Sequence, residues 1–343
     1  MVLPSVSRFS LSLVLKSILA TSVNVLPGAT QGHTEELLTI YTWEEYLAPD
    51  LLSKFAEETG IRVSVDNYYS NQELYETLKS GSAVYDIIIP EDAMVKTLID
   101  EGRLLRIDAA SMPNFVNVKK RFVDPWFDPG RLYSAPYLWG TTGFIYDPEQ
   151  VNGDVSESWE IFFEPPPELK GKVVALDSQK SVYGSAALYL GIAPCTEDAA
   201  EAQRILSLLA AQKESLAYYD SSFAVENYEL FSQRKIAVRQ VWSGTVTRLR
   251  KGLPRLVYVY PKEGIHAWED NLAVPSNAPH PNNAKTFINW MLQPEHIAAA
   301  SNFIGRTNIV FADANHETTT FSIKKPPKVK LILLYTNFCE FVS

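Results

Sequence analysis

Short runs of apolar residues alternate with segments of helical spacing along most of the chain. Apolar runs of about four to eight residues are typical of strands that are buried on both faces. The pattern predicts strands at residues 37–42, 61–65, 85–90, 142–146, 172–176, 236–242, 255–259 and 271–274.

The segments between these runs have apolar residues three and four positions apart, which indicates helices. The predicted helices are residues 50–59, 71–80, 92–101, 156–163, 181–190, 196–212, 225–233, 245–251 and 281–292. Residue types that cap helices flank several of them, with Asp50, Asn71 and Thr196 near N-termini and Gly60, Gly102 and Gly252 near C-termini.

Alternating strands and helices predict an α/β fold with mainly parallel sheets. At 343 residues the chain is long enough for two domains of ordinary size. Its net charge of −9 argues against a nucleic-acid partner and is compatible with a cationic one. Two cysteines, Cys195 and Cys339, and five scattered histidines provide no disulfide framework and no ordinary zinc spacing, so we expect no metal and no cofactor.

The N-terminal segment differs from the rest of the chain. It carries the bases Arg8 and Lys16 among apolar runs and has no acid before Glu35, which is the pattern of a secretory signal. We expect a signal peptide over residues 1–30, with cleavage somewhere in 20–34. The alternative is a cytosolic N-terminus without regular structure.

Aromatic and acidic residues gather beside the predicted strand ends, where ligands bind in open parallel sheets. They are Trp43, Glu44, Glu45, Tyr46, Glu91, Asp92, Asp177, Trp242, Trp268, Glu269 and Asp270, with Tyr137 and Trp139 ahead of a strand. Ring faces attract ammonium groups by about 0.5 to 2 kcal/mol each, and carboxylates add charge-assisted hydrogen bonds. The set therefore favours an elongated organic cation, although packing, solvation or helix capping explains each residue taken singly.

Other chemistries fit the sequence less well. The pairs Tyr68-Tyr69 and Tyr218-Tyr219 offer phenolate ligands for a ferric ion, but neighbours in a strand face opposite ways, so packing explains one member of each pair. The chain has no G-x-S-x-G nucleophile motif, no G-x-G-x-x-G and no G-x-x-x-x-G-K-[ST]. We therefore expect no catalytic residues and no enzymatic activity.

Six segments occur in order along the chain: YTWEEYLAPDLLSKFAEETGIRV, YYSNQELYETLKSG, YDIIIPEDAMVKTLIDEGRLLRID, YSAPYLWGTTGFIYD, VWSGT and VYPKEGIHAWEDNLAVPSNA. Together they resemble the bacterial spermidine/putrescine-binding proteins, which are periplasmic receptors of polyamine ABC importers. The resemblance implies a type II periplasmic binding protein fold, whose two α/β lobes close on the ligand by hinge motion. We expect lobe 1 to comprise residues 37–139 and 271–305, lobe 2 to comprise 140–270, and residues 306–343 to form an atypical tail.

The resemblance also implies roles for residues of the candidate set. Trp43, Glu45 and Tyr46 match the family's N-W-x-E-Y type turn. In that family the Asp of a W-x-D pair holds an amine while aromatic rings sandwich the alkyl chain. The implied ammonium partners are Asp270, Glu45 and Glu91. The implied aromatic box consists of Trp43, Tyr46, Trp242 and Trp268. Glu44, which has no fixed acidic counterpart, is assigned to solvent.

The chain departs from the family pattern at several positions. These are Glu91, Asp92 and Ala93, where the family usually has Ser and a nearby aromatic; Ser178 and Ser181, where it has an acidic pair; and Arg306, where an aromatic often follows the IG dipeptide. Residues 309–343 also lack the acid-rich helical pattern that relatives use to complete a lobe. These departures bear on the length of the preferred polyamine and leave its identity open.

The expected function is that of a monomeric periplasmic receptor that binds a polyamine and delivers it to ABC permease subunits. We expect it to bind no nucleic acid. Two alternatives are a polyamine sensor that passes its closed state to a signalling partner, and a ferric-ion receptor that uses tyrosines.

Overall fold

The computed structural model describes residues 36–151, 155–220 and 226–305, together with the backbone of 307–308 and 331–333. These residues belong to one compact unit that begins at Glu35. The predicted signal peptide, Arg306 and the side chains of the tail lie outside the described residues.

The described strands form one mixed sheet. They are β1 (Leu37–Trp43), β2 (Arg62–Tyr68), β3 (Ile87–Ile88), β4 (Ser134–Tyr146), β5 (Val173–Ala175), β6 (Leu216–Tyr219), β7 (Val238–Trp242), β8 (Val257–Val259), β9 (Ile265–Ala273), β10 (Thr307–Asn308) and β11 (Leu331–Leu333). The main order is β2-β1-β3-β9-β4-β7-β5-β6, and β8 and β10 pair with β4 while β11 pairs with β9.

Along the main order, parallel and antiparallel pairs occupy different parts of the sheet, and β11, which lies off this order, pairs parallel with β9. The pairs of β1 with β2 and β3 are parallel, as are those of β5 with β6 and β7. Between these two groups, β4 runs antiparallel to β7 and β9, and β9 runs antiparallel to β3. The long strands β4 and β9 therefore connect the two parallel groups through the middle of the sheet.

Ten α-helices lie in the described part of the chain. They are α1 (Pro49–Thr59), α2 (Asn71–Ser80), α3 (Asp92–Asp100), α4 (Glu160–Phe163), α5 (Gln179–Tyr189), α6 (Ala199–Lys213), α7 (Glu226–Ser232), α8 (Ser243–Gly252), α9 (Pro281–Met291) and α10 (Pro294–Ile304). Four short 3-10 segments lie at Ala109–Ser111, Pro113–Asn117, Lys120–Phe122 and Pro167–Leu169. Among these residues, no helix is both long enough and apolar enough to span a lipid bilayer.

Two strands extend well beyond their predicted starts, and this difference affects the site. β4 begins at Ser134 rather than 142, and β9 begins at Ile265 rather than 271. Every residue of β9 is buried, so the strand has no alternation of apolar and polar positions to reveal it. The sequence placed Glu269 and Asp270 just before the predicted strand rather than inside it, because the partners that allow their burial are distant along the chain.

Helix capping also differs in detail from the prediction. Ser70 rather than Asn71 caps α2, because its hydroxyl accepts the Glu73 amide at 3.1 Å. Asp198 rather than Thr196 caps α6, because its carboxylate accepts the amides of Ala200 and Glu201. The unpredicted helix α10 begins with a proline at its first turn, where a missing amide costs no helical hydrogen bond.

Buried apolar side chains form clusters around each of the two groups of parallel strands, which lie on either side of β4 and β9 in the strand order. Clusters around β1, β3, α1 and α9 include Phe55 and Phe287, and clusters around β5, β7 and α8 include Trp159 and Phe231. β4 contributes Leu138 to the first side and Phe144 to the second. The predicted lobe boundaries at 139/140 and 270/271 stay a prediction.

Candidate ligand-binding site

Asp270 is a carboxylate in the interior of β9 with only 2% of its surface exposed. Its Oδ2 accepts a hydrogen bond from the hydroxyl of Tyr46, which is also buried. Tyr46 follows a tight turn after β1, and its carbonyl accepts the hydroxyl of Tyr137 at 2.9 Å. The turn after β1 is therefore anchored to both long central strands.

The alternation of side chains along β9 places Trp268 on the same face as Asp270. Gly140 is the register partner of Trp268 in β4, and a Cβ on Gly140 would lie 2.4 Å from the Trp268 ring. The glycine thus makes room for the indole. The indole Nε1 donates to the hydroxyl of Thr142 at 3.1 Å, which fixes the orientation of the ring.

Trp242 ends β7 on the other side of β4. In the register of that pair it faces Thr142, the residue that accepts the Trp268 hydrogen bond. Trp242 is half-buried and is followed directly by α8, whose first residue is Ser243. Two of the predicted aromatic residues therefore lie on the strands that flank β4, with Thr142 between them.

Trp43 ends β1 and is half-buried beside a fully buried tyrosine. Its ring lies 4.6 Å from that of Tyr68, measured between centroids. The Trp43 Nε1 and the Tyr68 hydroxyl both donate to the carbonyl of Ile89, at 3.0 and 2.6 Å. These bonds hold Trp43 against the segment that leads from β3 to α3.

Acidic side chains meet where this segment passes β9. The backbone of Glu91 pairs with that of Asp270 as an isolated antiparallel bridge, and Glu91 then stands at the N-terminal cap position of α3. Asp92, the first residue of α3, is 7% exposed. Lys180 of α5 donates to Glu91 Oε2 at 2.8 Å, and its Nζ lies 3.6 Å from Asp92 Oδ1. A cationic side chain is thus fixed among these acids.

Burial and charge both shift the pKa values of these groups. Burial raises the pKa of Asp92, with the Lys180 charge opposing the rise and the Glu91 charge adding to it. Burial opposes the charged form of Lys180, but the charges of Glu91, Asp92 and Asp270 raise the pKa of Lys180 above its ordinary value. Burial lowers the pKa of His266 far below its ordinary range, and Lys180 adds to that shift. Lys180 therefore stays protonated while His266 stays neutral.

The opposite face of β9 carries a separate ion pair. Glu269 Oε1 lies 2.5 Å from Nη2 of Arg131, whose side chain is fully buried. Arg131 also donates to the Phe122 carbonyl at 2.7 and 2.8 Å and to Asn271 Oδ1 at 2.7 Å. Burial raises the pKa of Glu269, and the Arg131 charge opposes that rise. This acid is occupied within the fold and does not share the face of Asp270.

The predicted site residues fall into two groups. Contacts and strand register connect Tyr46, Glu91, Trp268 and Asp270, with Trp43 and Trp242 adjoining them. Glu45 is exposed and is not part of this group: its Oε2 lies 3.3 Å from Nη1 of Arg248. In the turn Glu45 has a φ of 55°, a left-handed backbone conformation that residues other than glycine seldom adopt. Glu44 is exposed, as the sequence predicted.

Sequence reasoning missed Lys180. It follows β5 close to Asp177, Ser178 and Ser181, but a lysine is not among the acidic and aromatic residue types that an organic cation requires. A lysine near a helix N-terminus meets an unfavourable helix dipole, which is a signal that nearby acids hold it there. The neighbouring Ser178 and Ser181 hydroxyls lie 3.0 Å apart in a helix cap.

The pair Tyr68-Tyr69 provides little support for ferric-ion binding. Burial raises the pKa of Tyr68 far above its ordinary value, and its hydroxyl donates a hydrogen bond to the Ile89 carbonyl, so it stays a neutral phenol. Tyr69 is 70% exposed and points the other way. Among the described side chains, no group of three His, Cys, Asp or Glu residues is arranged to hold a metal ion.

Comparison with known proteins places this site in context. The model of a family described as bacterial extracellular solute-binding protein matches residues 50–330. The putrescine-binding periplasmic protein SpuD of Pseudomonas aeruginosa is 30% identical over 306 residues, covering 84% of this chain and 83% of that protein. The spermidine/putrescine-binding periplasmic protein of Escherichia coli is 30% identical over 281 residues, covering 81% and 79%.

Solved structures show the same similarity. The spermidine/putrescine ABC transporter substrate-binding protein PotD of Streptococcus pneumoniae superposes with a TM-score of 0.71 at 28% identity, covering 84% of this chain and 90% of that one. The Tp0655 (TpPotD) lipoprotein of Treponema pallidum gives a TM-score of 0.71 at 22% identity, covering 85% and 89%. The second likeness supports the fold alone.

Proposed function

The chain belongs to the family of bacterial extracellular solute-binding proteins, and we propose that its ligand is a polyamine of the putrescine or spermidine class. Its fold is that of the type II periplasmic binding proteins. Proteins of this family are transport receptors rather than enzymes. The proposed role is to bind the polyamine outside the cytoplasm and deliver it to ABC permease subunits.

The observation that carries this proposal is the environment of Asp270. Carboxylates attract ammonium groups through charge-assisted hydrogen bonds, and burial strengthens that attraction. Asp270 has the Tyr46 hydroxyl as a donor and lies beside two further acids, Glu91 and Asp92. Lys180 lies against Glu91 and Asp92, and the charge of Asp270 also raises the pKa of Lys180. A site that gathers carboxylates in this way favours a cationic ligand over an anionic one.

The aromatic residues fit the remainder of a polyamine. Methylene groups pack on ring faces, and the same faces attract ammonium groups by about 0.5 to 2 kcal/mol each. We propose Trp43, Tyr46, Trp242 and Trp268 as the walls that enclose the alkyl chain. Asp270 and Glu91 are the proposed ammonium partners. Glu45, exposed and paired with Arg248, contributes at most to the rim.

The proposed location is the periplasm, reached through the N-terminal signal peptide. The named relatives are periplasmic proteins, and residues 1–30 have the composition of a secretory signal. Sequencing the N-terminus of protein recovered from the periplasmic fraction tests this. A mature start within residues 20–34 supports secretion, and an intact Met1 contradicts it. Light scattering of the same material tests the proposed monomeric state.

Titration calorimetry tests the ligand class directly. Purified protein is titrated with putrescine, cadaverine, spermidine and spermine at one pH and one salt concentration. We expect saturable binding of at least one of them, weakened by added salt because the contacts are ionic. The matched control ligand is 1,4-butanediol, which has the carbon chain of putrescine without its ammonium groups and should give no saturable heat.

The outcome is decisive only when the protein is folded. Circular dichroism and a cooperative thermal transition establish this on the calorimetry sample. Folded protein that binds none of the four amines would overturn the proposed ligand class. Equal binding of butanediol and putrescine would overturn the role of the carboxylates.

A further inference from the structure

Gly140 and Thr142 are two residues of β4 that suit the interior of a buried strand poorly. A glycine there has no side chain to pack, and a buried hydroxyl costs free energy unless it is hydrogen-bonded. Gly140 is buried and Thr142 is fully buried. Alanine and valine would fill these positions without either cost, so the two residues require an explanation from their surroundings.

One indole explains both of them. A Cβ on Gly140 would lie 2.4 Å from the ring of Trp268, and the Nε1 of that ring donates to the Thr142 hydroxyl at 3.1 Å. Trp268 belongs to the neighbouring strand β9, in which it is the register partner of Gly140. A buried indole N–H usually has an acceptor, and Thr142 provides it. The residue types in this part of β4 therefore match the position of a single ring.

The surroundings of Trp268 differ from those of a core aromatic residue. Trp268 is 3% exposed, yet the apolar clusters formed by the described residues do not include it. His266 and Asp270 are two positions away on either side, so strand alternation places all three side chains on one face of β9. A buried ring among polar and titratable side chains favours ligand contact over core packing.

We propose that Thr142 is a positioning residue for ligand binding, whose hydroxyl holds the Trp268 indole in the orientation that presents its face to the ligand. Gly140 provides the space for that orientation. The attraction between an ammonium group and an indole requires the cation to lie over the ring face, so a turned ring loses this contact. The inference rests on the proposed polyamine function and deepens it, because Thr142 acts through the indole.

The experiment compares Thr142→Val with Thr142→Ser. Valine keeps the shape of threonine but cannot accept from the indole, whereas serine keeps the hydroxyl. The probe is putrescine or spermidine, whichever the wild-type chain binds more tightly in the calorimetric titration. We expect Thr142→Val to raise its Kd by about three- to tenfold, and Thr142→Ser to stay within about twofold of the wild type.

The preceding residue of the same strand provides a matched control. Thr141 is 3% exposed, and its hydroxyl oxygen lies 2.9 Å from that of the buried Tyr258. Because neighbours in a strand point to opposite faces, Thr141→Val removes a buried hydrogen bond on the side away from Trp268. It should lower the midpoint of thermal unfolding, as Thr142→Val does, yet leave the Kd within about twofold of the wild type.

Nuclear magnetic resonance of the indole N–H groups gives a readout that a loss of stability alone would not move. Isotope-labelled tryptophan makes these groups visible, and the signal of Trp268 is the one missing from Trp268→Phe. Its proton should move upfield in Thr142→Val, where the acceptor is lost, and stay near its wild-type position in Thr142→Ser and Thr141→Val. Saturating ligand should shift the Trp268 signal of the wild-type chain.

The inference and the proposed function fail in different ways. Folded wild-type protein that binds no polyamine overturns the function. Folded Thr142→Val with wild-type affinity overturns the role of Thr142. An equal loss of affinity in Thr141→Val also overturns it, since the effect would then follow from stability alone. A wild-type Trp268 signal that saturating ligand leaves unmoved overturns the inference even if Thr142→Val does not fold.

Discussion

Glu269 and Asp270 are adjacent carboxylates in the same buried strand, yet they have different surroundings. Glu269 lies against Arg131, which is itself held by the Phe122 carbonyl and Asn271. Asp270 points to the other face, where it accepts from Tyr46 and lies beside further acids. One carboxylate belongs to a buried ion pair with an arginine, whereas the other lies beside Tyr46 and Glu91 and near Lys180.

The difference shows how a strand can carry structure and recognition in neighbouring residues. Successive side chains point to opposite faces, so each face of β9 meets its own set of partners. An acid matched within the fold contributes to stability, because removing its partner leaves a buried charge. The proposed role of Asp270 is in binding, because carboxylates attract a ligand cation through charge-assisted hydrogen bonds. Four measurements test this division.

The largest expected effect is on stability, from Arg131→Met. The substitution leaves the buried Glu269 without its cation and the Phe122 carbonyl without its donors. We expect the free energy of unfolding to fall by about 3 to 5 kcal/mol, measured by urea denaturation. The control is Arg106→Met, which removes an exposed partner of Asp108 and should cost less than about 1 kcal/mol. Similar losses in the two variants would contradict the assigned structural role.

The next effect is on binding, from Asp270→Asn. Asn keeps the shape of the side chain and still accepts from Tyr46, but it has no charge for a ligand ammonium. We expect the affinity for the preferred polyamine to fall by about 2 kcal/mol or more, measured by titration calorimetry on folded protein. The control is the same substitution at the exposed Asp100, which should not alter affinity. An unchanged affinity in Asp270→Asn would remove Asp270 from the site.

The stability loss in Arg131→Met should depend on pH. Burial already raises the pKa of Glu269, and loss of the opposing Arg131 charge raises it further. A carboxyl with a higher pKa in the folded than in the unfolded protein binds its proton more tightly when folded, so stability falls as pH rises between the two values. The difference between variant and wild type should therefore shrink by about 1 to 2 kcal/mol from about pH 7 to about pH 5. A difference that grows on acidification would refute this.

The smallest effect is expected from Glu45→Gln. Glu45 was predicted from the sequence to hold an ammonium group, but its side chain is 59% exposed and adjoins Arg248. An exposed ion pair is screened by water and salt. We expect polyamine affinity to change by less than about 0.5 kcal/mol, in the same calorimetric assay as for Asp270→Asn. A loss as large as that in Asp270→Asn would place Glu45 inside the site after all.

Part of the site followed from the sequence because local order was enough. Trp43 and Tyr46 follow the first strand, and Trp268 and Asp270 are two positions apart, so strand periodicity alone places the latter pair on one face. Lys180 could not be placed in this way. It lies 89 residues from Glu91 along the chain, and the packing of α5 against β9, whose Asp270 pairs with Glu91, brings the two together.

The sequence by itself determined the family, most helices and strands, and the aromatic and acidic types that a cationic ligand requires. These are encoded locally, in periodicity, caps and short motifs. The tertiary structure decided which carboxylates are matched. That depends on charges distant along the chain, with Arg131 for Glu269 and Lys180 for Glu91. Because electrostatic energy depends on distance in space and on burial, the different surroundings of Glu269 and Asp270 appear only in the folded chain.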